Sequence, residues 1–132
     1  MADTLQFELV SPERRLASMA ATEVRLPGAA GDMTAMPDHA ETITSLRPGI
    51  VQASGPEGKE SFMVTGGFAD ISAGAASVLA ETAIPLSEMT SEVMEKFLAE
   101  ARGAAENAPQ ETVDEARKLI DDLETARAEI GV

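Results

Sequence analysis

The sequence has little of two residues that often serve in catalytic and metal sites, cysteine and histidine. Among its 132 residues there is no cysteine and only one histidine. Disulfides, thiolate catalysis and cysteine metal sites are therefore excluded. The remaining oxygen ligands do not form a calcium-loop pattern, and the glycine-rich stretches lack the order of a phosphate or dinucleotide loop. No catalytic residue, no metal site and no cofactor is predicted.

Aromatic residues are also scarce, with four phenylalanines and no tryptophan or tyrosine. Because 44% of the residues are still hydrophobic, the chain can bury one core. That core must be built from valine, isoleucine, leucine, alanine and methionine.

Positive charge is the third deficit, since 10 Lys and Arg face 23 Asp and Glu, a formal net charge of -13. Nucleic acids and anionic lipids both bind through cations, so neither is an expected partner. No apolar run approaches the roughly 20 residues needed to span a bilayer. The amino end reads as a cytoplasmic, bacterial-type start without a signal peptide. We therefore expect protein partners and no direct membrane insertion.

Residues 1–85 have the pattern of many short strands. Leu5, Phe7 and Leu9 alternate with polar residues in a period of two, and turn signals recur at short intervals. This pattern predicts a β-sandwich or barrel. The turns and corners are predicted at Pro27, Gly28, Gly31, Pro48, Gly49, Gly66 and Gly67.

Residues 86–132 change to a helical period. Thr90 can cap a first helix, which should fray after Gly103, and Pro109 marks a break before a second helix. The two helices are predicted to form an antiparallel αα-hairpin with a narrow, weak seam, which makes the hairpin a movable element. The predicted seam residues are Val93, Phe97, Ala101, Val113, Ala116, Ile120, Leu123 and Ile130.

The stretch from 24 to 49 is the most informative. A strand ending at Leu26 meets Pro27-Gly28, and a second apolar run stops at Pro48-Gly49, so the chain should reverse at both places. The segment between them is predicted to be a displayed loop that carries the histidine.

Four motifs in this order resemble the epsilon subunit of the F-type ATP synthase. They are Val10-Ser11-Pro12, the loop from Pro27-Gly28 through Gly31-Asp32 and His39-Ala40 to Arg47-Pro48-Gly49, Thr65-Gly66-Gly67-Phe68, and Val78-Leu79-Ala80-Glu81-Thr82-Ala83. The resemblance covers almost the whole chain. It departs at Asp38, where the family usually has glycine, and at Glu41, where proline is common.

The resemblance implies a non-catalytic rotor subunit. Such a subunit links the gamma subunit to the c-ring, couples proton flow to ATP synthesis, and lies peripherally on the cytoplasmic face of the bacterial inner membrane. Its helical hairpin can extend towards the catalytic alpha/beta head and inhibit hydrolysis, although the few cations of this hairpin make strong inhibition unexpected. The c-ring and gamma contacts implied by the resemblance are Asp32, Met33, Met36, Asp38 and His39.

Two other interpretations remain. Some bacterial members bind ATP through an Asp-x-x-Arg-Ala motif that opens the first helix, but here Met89–Met94 lacks both the aspartate and the arginine. A near match at 113–118 opens the second helix, where an acid and a base three residues apart form an ordinary surface pair. The rival to a rotor subunit is a free-standing β-sandwich module with a helical arm that binds some other protein.

Overall fold

The computed structural model describes residues 4–132, which form ten strands followed by two helices. The predicted fold class is confirmed. The strands are β1 Leu5–Val10, β2 Arg15–Ala21, β3 Glu23–Gly28, β4 Gly31–Ala35, β5 Thr42–Leu46, β6 Gly49–Gly55, β7 Gly58–Val64, β8 Gly67–Ile71, β9 Ala75–Ala80 and β10 Ala83–Pro85. The helices are α1 Ser91–Glu106 and α2 Val113–Ile130, preceded by a short 3-10 helix at Leu86–Glu88.

The strands form one curled sheet in the order β10-β7-β6-β3-β5-β8-β9-β1-β2, with β4 paired to β3 alone. Pairing is antiparallel except between β1 and β9. The far end of the sheet returns to its middle, because the backbone N–H of Thr22, just after β2, donates to the carbonyl of Ser54 in β6 at 2.6 Å. The result is a nearly closed sandwich.

The sandwich encloses a core of small and medium apolar side chains. Phe7, Leu9, Leu26, Ile71 and Val78 are among its fully buried members. As expected from composition, aliphatic residues supply most of this core. The period of two in β1 places one face of the strand inward and leaves Gln6 exposed.

A separate apolar cluster holds the helices against the sandwich. Met94, Leu98 and Leu123 from the helices meet Met63 of β7, with Ile84 and Leu86 packed alongside. Two ion pairs cross between the helices, Arg102 to Glu124 at 3.3 Å and Arg127 to Glu95 at 2.5 Å. These pairings require antiparallel helices, and the hairpin lies folded on the sandwich.

The predicted seam residues divide into two groups in the structure. Ala101 and Leu123 are buried, and Val93, Phe97, Ile120 and Ile130 pack partly buried against the helical cluster, whereas Val113 and Ala116 lie outside it. Ala126, which was not predicted, is buried. The burial extends to Ala126 because α2 also contacts β6, so its apolar stripe faces the sandwich as well as α1.

Three predicted boundaries shift. Pro27 and Gly28 belong to β3, and the turn follows at residues 29–30, because Gly28 remains paired with both Gly31 and Leu46. The predicted single loop is interrupted by β4 and β5. Helix α1 continues past Gly103 to Glu106.

Candidate functional site

The chain reverses between β3 and β4 in a two-residue turn at residues 29–30. We call this turn and the following residues Gly31–Met33 the hairpin tip. Gly28 pairs with Gly31 across the turn. A Cβ on Gly28 would lie 2.7 Å from the carbonyl oxygen of Gly31, closer than real side-chain contacts allow. Glycine at 28 therefore permits the tight approach of the two strands.

Asp32, within the hairpin tip, is exposed and forms an ion pair with Arg47. The contact joins Oδ1 of Asp32 to Nη2 of Arg47, which lies between β5 and β6. The Asp32 side chain is 67% exposed and the Arg47 side chain 25%. The sequence singled out Asp32 but missed Arg47 as its partner, because fifteen residues separate them along the chain.

The corner after Arg47 fits tightly against β3. The backbone N–H of Arg47 donates to the carbonyl of Pro27 at 3.0 Å. A Cβ on Gly49 would lie 2.7 Å from Cβ of Pro27. The two Pro-Gly pairs of the sequence thus contact each other in space, which explains why small or rigid residues occupy both.

A second turn lies at residues 36–39, at the other end of β4. The N–H of His39 donates to the carbonyl of Met36 at 3.1 Å, and the N–H of Asp38 donates to the carbonyl of Ala73 at 2.8 Å. The first bond closes the turn, and the second ties it to the connection between β8 and β9. Asp38 has a φ of +69°, in the left-handed region.

His39 is half-buried, and its Nδ1 lies 2.6 Å from the carbonyl oxygen of Ala40. Since a carbonyl can only accept, the proton must reside on Nδ1 for this hydrogen bond. The local bond orients the ring and makes His39 part of the turn's own structure. Within residues 4–132, no group of three or more His, Asp or Glu side chains could hold a metal ion.

The five residues singled out in the sequence therefore occupy two places. Asp32 and Met33 belong to the hairpin tip, and Met36, Asp38 and His39 belong to the second turn. An extended strand rises roughly 3.3 Å per residue, so about 13 Å of β4 separates Asp32 from Met36. Met33 packs partly against the sandwich core, whereas Met36 is 51% exposed.

Three large apolar side chains that were not predicted as site residues are exposed on the sandwich. Ile43 of β5, Phe68 of β8 and Leu79 of β9 are 72%, 60% and 61% exposed. Phe68 pairs directly with Leu79, and Ile43 pairs with Asp70, two residues along β8 on the same face. We call these three residues the apolar face. A signal was available: Val78 and Leu79 are adjacent in one strand, so one of them must point outward.

The glycine pair at 66–67 positions this face. Both glycines have positive φ, +144° and +139°, and a Cβ on Gly67 would lie 2.0 Å from the carbonyl of Leu79. The pair forms the corner by which the chain leaves β7, on one side of the sandwich, for β8, on the other. Phe68 follows directly after that corner.

Comparison with known proteins identifies relatives over the whole chain. Residues 4–86 match the family model described as ATP synthase, Delta/Epsilon chain, beta-sandwich domain. The ATP synthase epsilon chain of Cereibacter sphaeroides is 56% identical over 131 residues, which cover 99% of each chain.

Solved structures share the fold at lower identity. A chain of the Euglena gracilis mitochondrial ATP synthase, from a structure of OSCP/F1/c-ring, superposes with a TM-score of 0.77 at 22% identity and covers 98% of this chain and 83% of its own. A chain of the Tetrahymena thermophila mitochondrial ATP synthase central stalk and c-ring gives a TM-score of 0.64 at 13% identity, with 92% and 95% covered.

Proposed function

Because the chain belongs to the epsilon family of ATP synthase subunits, we propose that it connects the gamma subunit to the c-ring within the rotor. It is a non-catalytic central-stalk subunit of an F-type ATP synthase. None of the helices in residues 4–132 is long and apolar enough to cross a membrane. In our proposal the protein lies peripherally on the cytoplasmic face of the bacterial inner membrane. A free-standing binding module is the weaker alternative.

The observation that carries the proposal is the apolar face. Three large apolar side chains exposed side by side on a rigid sheet indicate a surface that another protein covers. A lasting contact between two rotor subunits favours such a surface, because permanent interfaces are more apolar than transient ones. We assign Ile43, Phe68 and Leu79 to the gamma contact, together with Met36 and the turn at 36–39, which is hydrogen-bonded to the connection between β8 and β9.

The hairpin tip is polar, unlike the apolar face, and it is our candidate for the c-ring contact. It presents the exposed carboxylate of Asp32 on a tight turn, with Met33 anchored in the sandwich. A carboxylate can accept hydrogen bonds from polar loops. A sandwich with an apolar face for one partner and a polar tip for another can transmit torque between them, because its packed core resists deformation.

The helical hairpin is our candidate for a regulatory arm that meets the alpha/beta head. It is folded on the sandwich through Met63 and the helical cluster. Its five cations, Lys96, Arg102, Arg117, Lys118 and Arg127, are outnumbered by acids, and three of them are already paired within the hairpin. We therefore expect weak inhibition of ATP hydrolysis.

The gamma assignment is tested by replacing Phe68 and Leu79 together with serine. Both side chains are exposed, so the free energy of unfolding should change by less than about 1 kcal/mol. Retention of the protein on the purified catalytic head with gamma should fall at least tenfold, because the contact loses buried apolar area. Glu60→Gln, at an exposed position of β7 away from the apolar face, is the control and should leave retention unchanged. Unaltered retention of the double variant, with its fold intact, would remove the apolar face from the gamma contact.

A further inference from the structure

A polar cleft separates the sandwich from the docked helix α2. It has a volume of about 240 Å³ and lies between β3, β6 and the last turns of α2. The sandwich wall contributes Arg25, Arg47 and Asp32, and the helix wall contributes Asp122 and Glu129. The sandwich wall carries two cations against one acid, and the helix wall carries two acids, of which Asp122 is already paired with Lys118 of the same helix.

Arg47 lies at the centre of this arrangement. Its backbone is fixed to Pro27, and Pro27 is the register partner of Asp32 in β4. Its guanidinium pairs with Asp32. The Arg47 side chain is only 25% exposed, whereas the Asp32 side chain is 67% exposed. A fixed, half-buried cation beside an exposed carboxylate on an outer strand restricts where that carboxylate can point.

We propose that Arg47 is a positioning residue that fixes the Asp32 carboxylate for its contact with the c-ring, and that docking of α2 reinforces this pairing. The inference rests on the proposed function. Arg47 removes rotamer freedom from Asp32 before the contact forms, which lowers the entropic cost of association. It also leaves Oδ2 of Asp32 as the oxygen available to a hydrogen-bond donor.

Helix α2 acts as the second wall. While α2 is docked, its residues face Arg47 across the cleft. A pair in a cleft is screened less by salt than a fully exposed pair, so docking should strengthen the attraction between Arg47 and Asp32. When α2 leaves the sandwich, Arg47 becomes solvated and Asp32 gains freedom. Docking or release of the two helices thereby changes how freely Asp32 moves at the hairpin tip. The link runs through the Arg47–Asp32 pair, and both of these residues belong to the sandwich.

The first experiment is a double-mutant cycle in membrane vesicles that contain the assembled synthase, with protons pumped per ATP hydrolysed as the measurement. Asp32→Asn and Arg47→Gln should each lower this ratio at least twofold, and the double variant should lower it no further than either alone. Arg47→Lys should restore most of the ratio because the cation is kept. Arg15→Gln, which removes a cation at an exposed position of β2 outside the cleft, is the control.

The outcomes separate the two proposals. An additive double variant would overturn the positioning role, since Arg47 would then act independently of Asp32. If Asp32→Asn alone changes nothing, the proposed c-ring contact fails, and the positioning role is then decided by a measurement on the free protein.

That measurement is amide hydrogen exchange at residues 31–33 in the full chain. Arg47→Gln should raise exchange at the hairpin tip at least threefold and have no further effect in the presence of Asp32→Asn. Ala126→Glu, which places a charge at a buried α2 position in the cleft, should undock α2 and raise tip exchange as well. Ala128→Glu, at an exposed position of α2, is its control. Unchanged tip exchange in Arg47→Gln would overturn the positioning role, and unchanged tip exchange with α2 demonstrably undocked would overturn the link to the hairpin.

Discussion

Asp38 shows how a single residue can keep a backbone conformation that glycine adopts most easily. Its φ of +69° lies in the left-handed region, and among residues 4–132 it is the only non-glycine residue with positive φ. Aspartate is tolerated there better than most residues but still carries strain. The resemblance to the epsilon family implies that glycine is usual at this position, and glycine adopts positive φ without strain.

We predict that Asp38→Gly and Asp38→Ala differ in sign. Glycine relieves the left-handed strain at some cost in unfolded-state entropy, so Asp38→Gly should be neutral or stabilising by up to about 1 kcal/mol. Asp38→Ala keeps a Cβ without the polar group and should be destabilising by about 1 kcal/mol. Urea unfolding of the two variants gives the comparison. An alanine variant as stable as the glycine variant would mean that the turn relaxes out of the left-handed region.

At the same scale, the sequence identified residues better than it identified their partners. Asp32 and His39 were selected from a local pattern, and both lie on exposed or half-exposed turns and strands. Arg47 was recognised only as part of an Arg-Pro-Gly turn. Its pairing with Asp32 depends on the contact between the corner at 47–49 and Pro27. Local sequence patterns cannot predict a contact between segments that lie this far apart in the chain.

At the scale of elements, the two helix starts provide a matched comparison. The predicted cap at Thr90 is confirmed, since its Oγ1 accepts a hydrogen bond from the N–H of Val93 at 3.2 Å. Thr112 occupies the equivalent position before α2 but makes no side-chain cap bond. Its hydroxyl donates back to the carbonyl of Pro109.

We therefore expect Thr90→Ala to destabilise the hairpin by about 1 kcal/mol, and Thr112→Ala to have a smaller effect. The lost acceptor leaves one N–H of the first turn of α1 without its partner. Amide exchange in the first turns of α1 and α2 measures each effect locally. Equal effects at both positions would show that the geometry of the Thr90 cap contributes little.

The helical periodicity predicted the hairpin correctly, but it assigned some of the buried positions of α2 to the wrong residues. Spacings of three and four residues identified the two helices, yet they selected Val113 and Ala116 and omitted Ala126. A seam derived from the two helices alone cannot include residues that face the sandwich.

Similarly, proline and glycine at 27–28 predicted a turn two residues early, because pairing with Gly31 and Leu46 keeps both residues in the strand.

At the scale of the whole molecule, strand β7 connects the two apolar clusters. Met63 and Val64 are adjacent and both are fully buried. Successive side chains of a strand point to opposite faces, so Val64 enters the core of the sandwich and Met63 enters the helical cluster. The sequence predicted a sandwich and a hairpin, but the residue on which the hairpin docks was hidden within an apolar run that reads as core.

Neighbouring substitutions in β7 should separate the two units. Met63→Ala should cost roughly 2–5 kcal/mol by removing a buried side chain, and the loss should appear as faster amide exchange in α1 and α2 while the sandwich stays protected. Val64→Ala should cost about 2 kcal/mol and act on the strands instead. If both variants raised exchange uniformly through the chain, the hairpin and the sandwich would unfold as one cooperative unit. A hairpin released only with the whole fold could not serve as the movable regulatory arm that we propose.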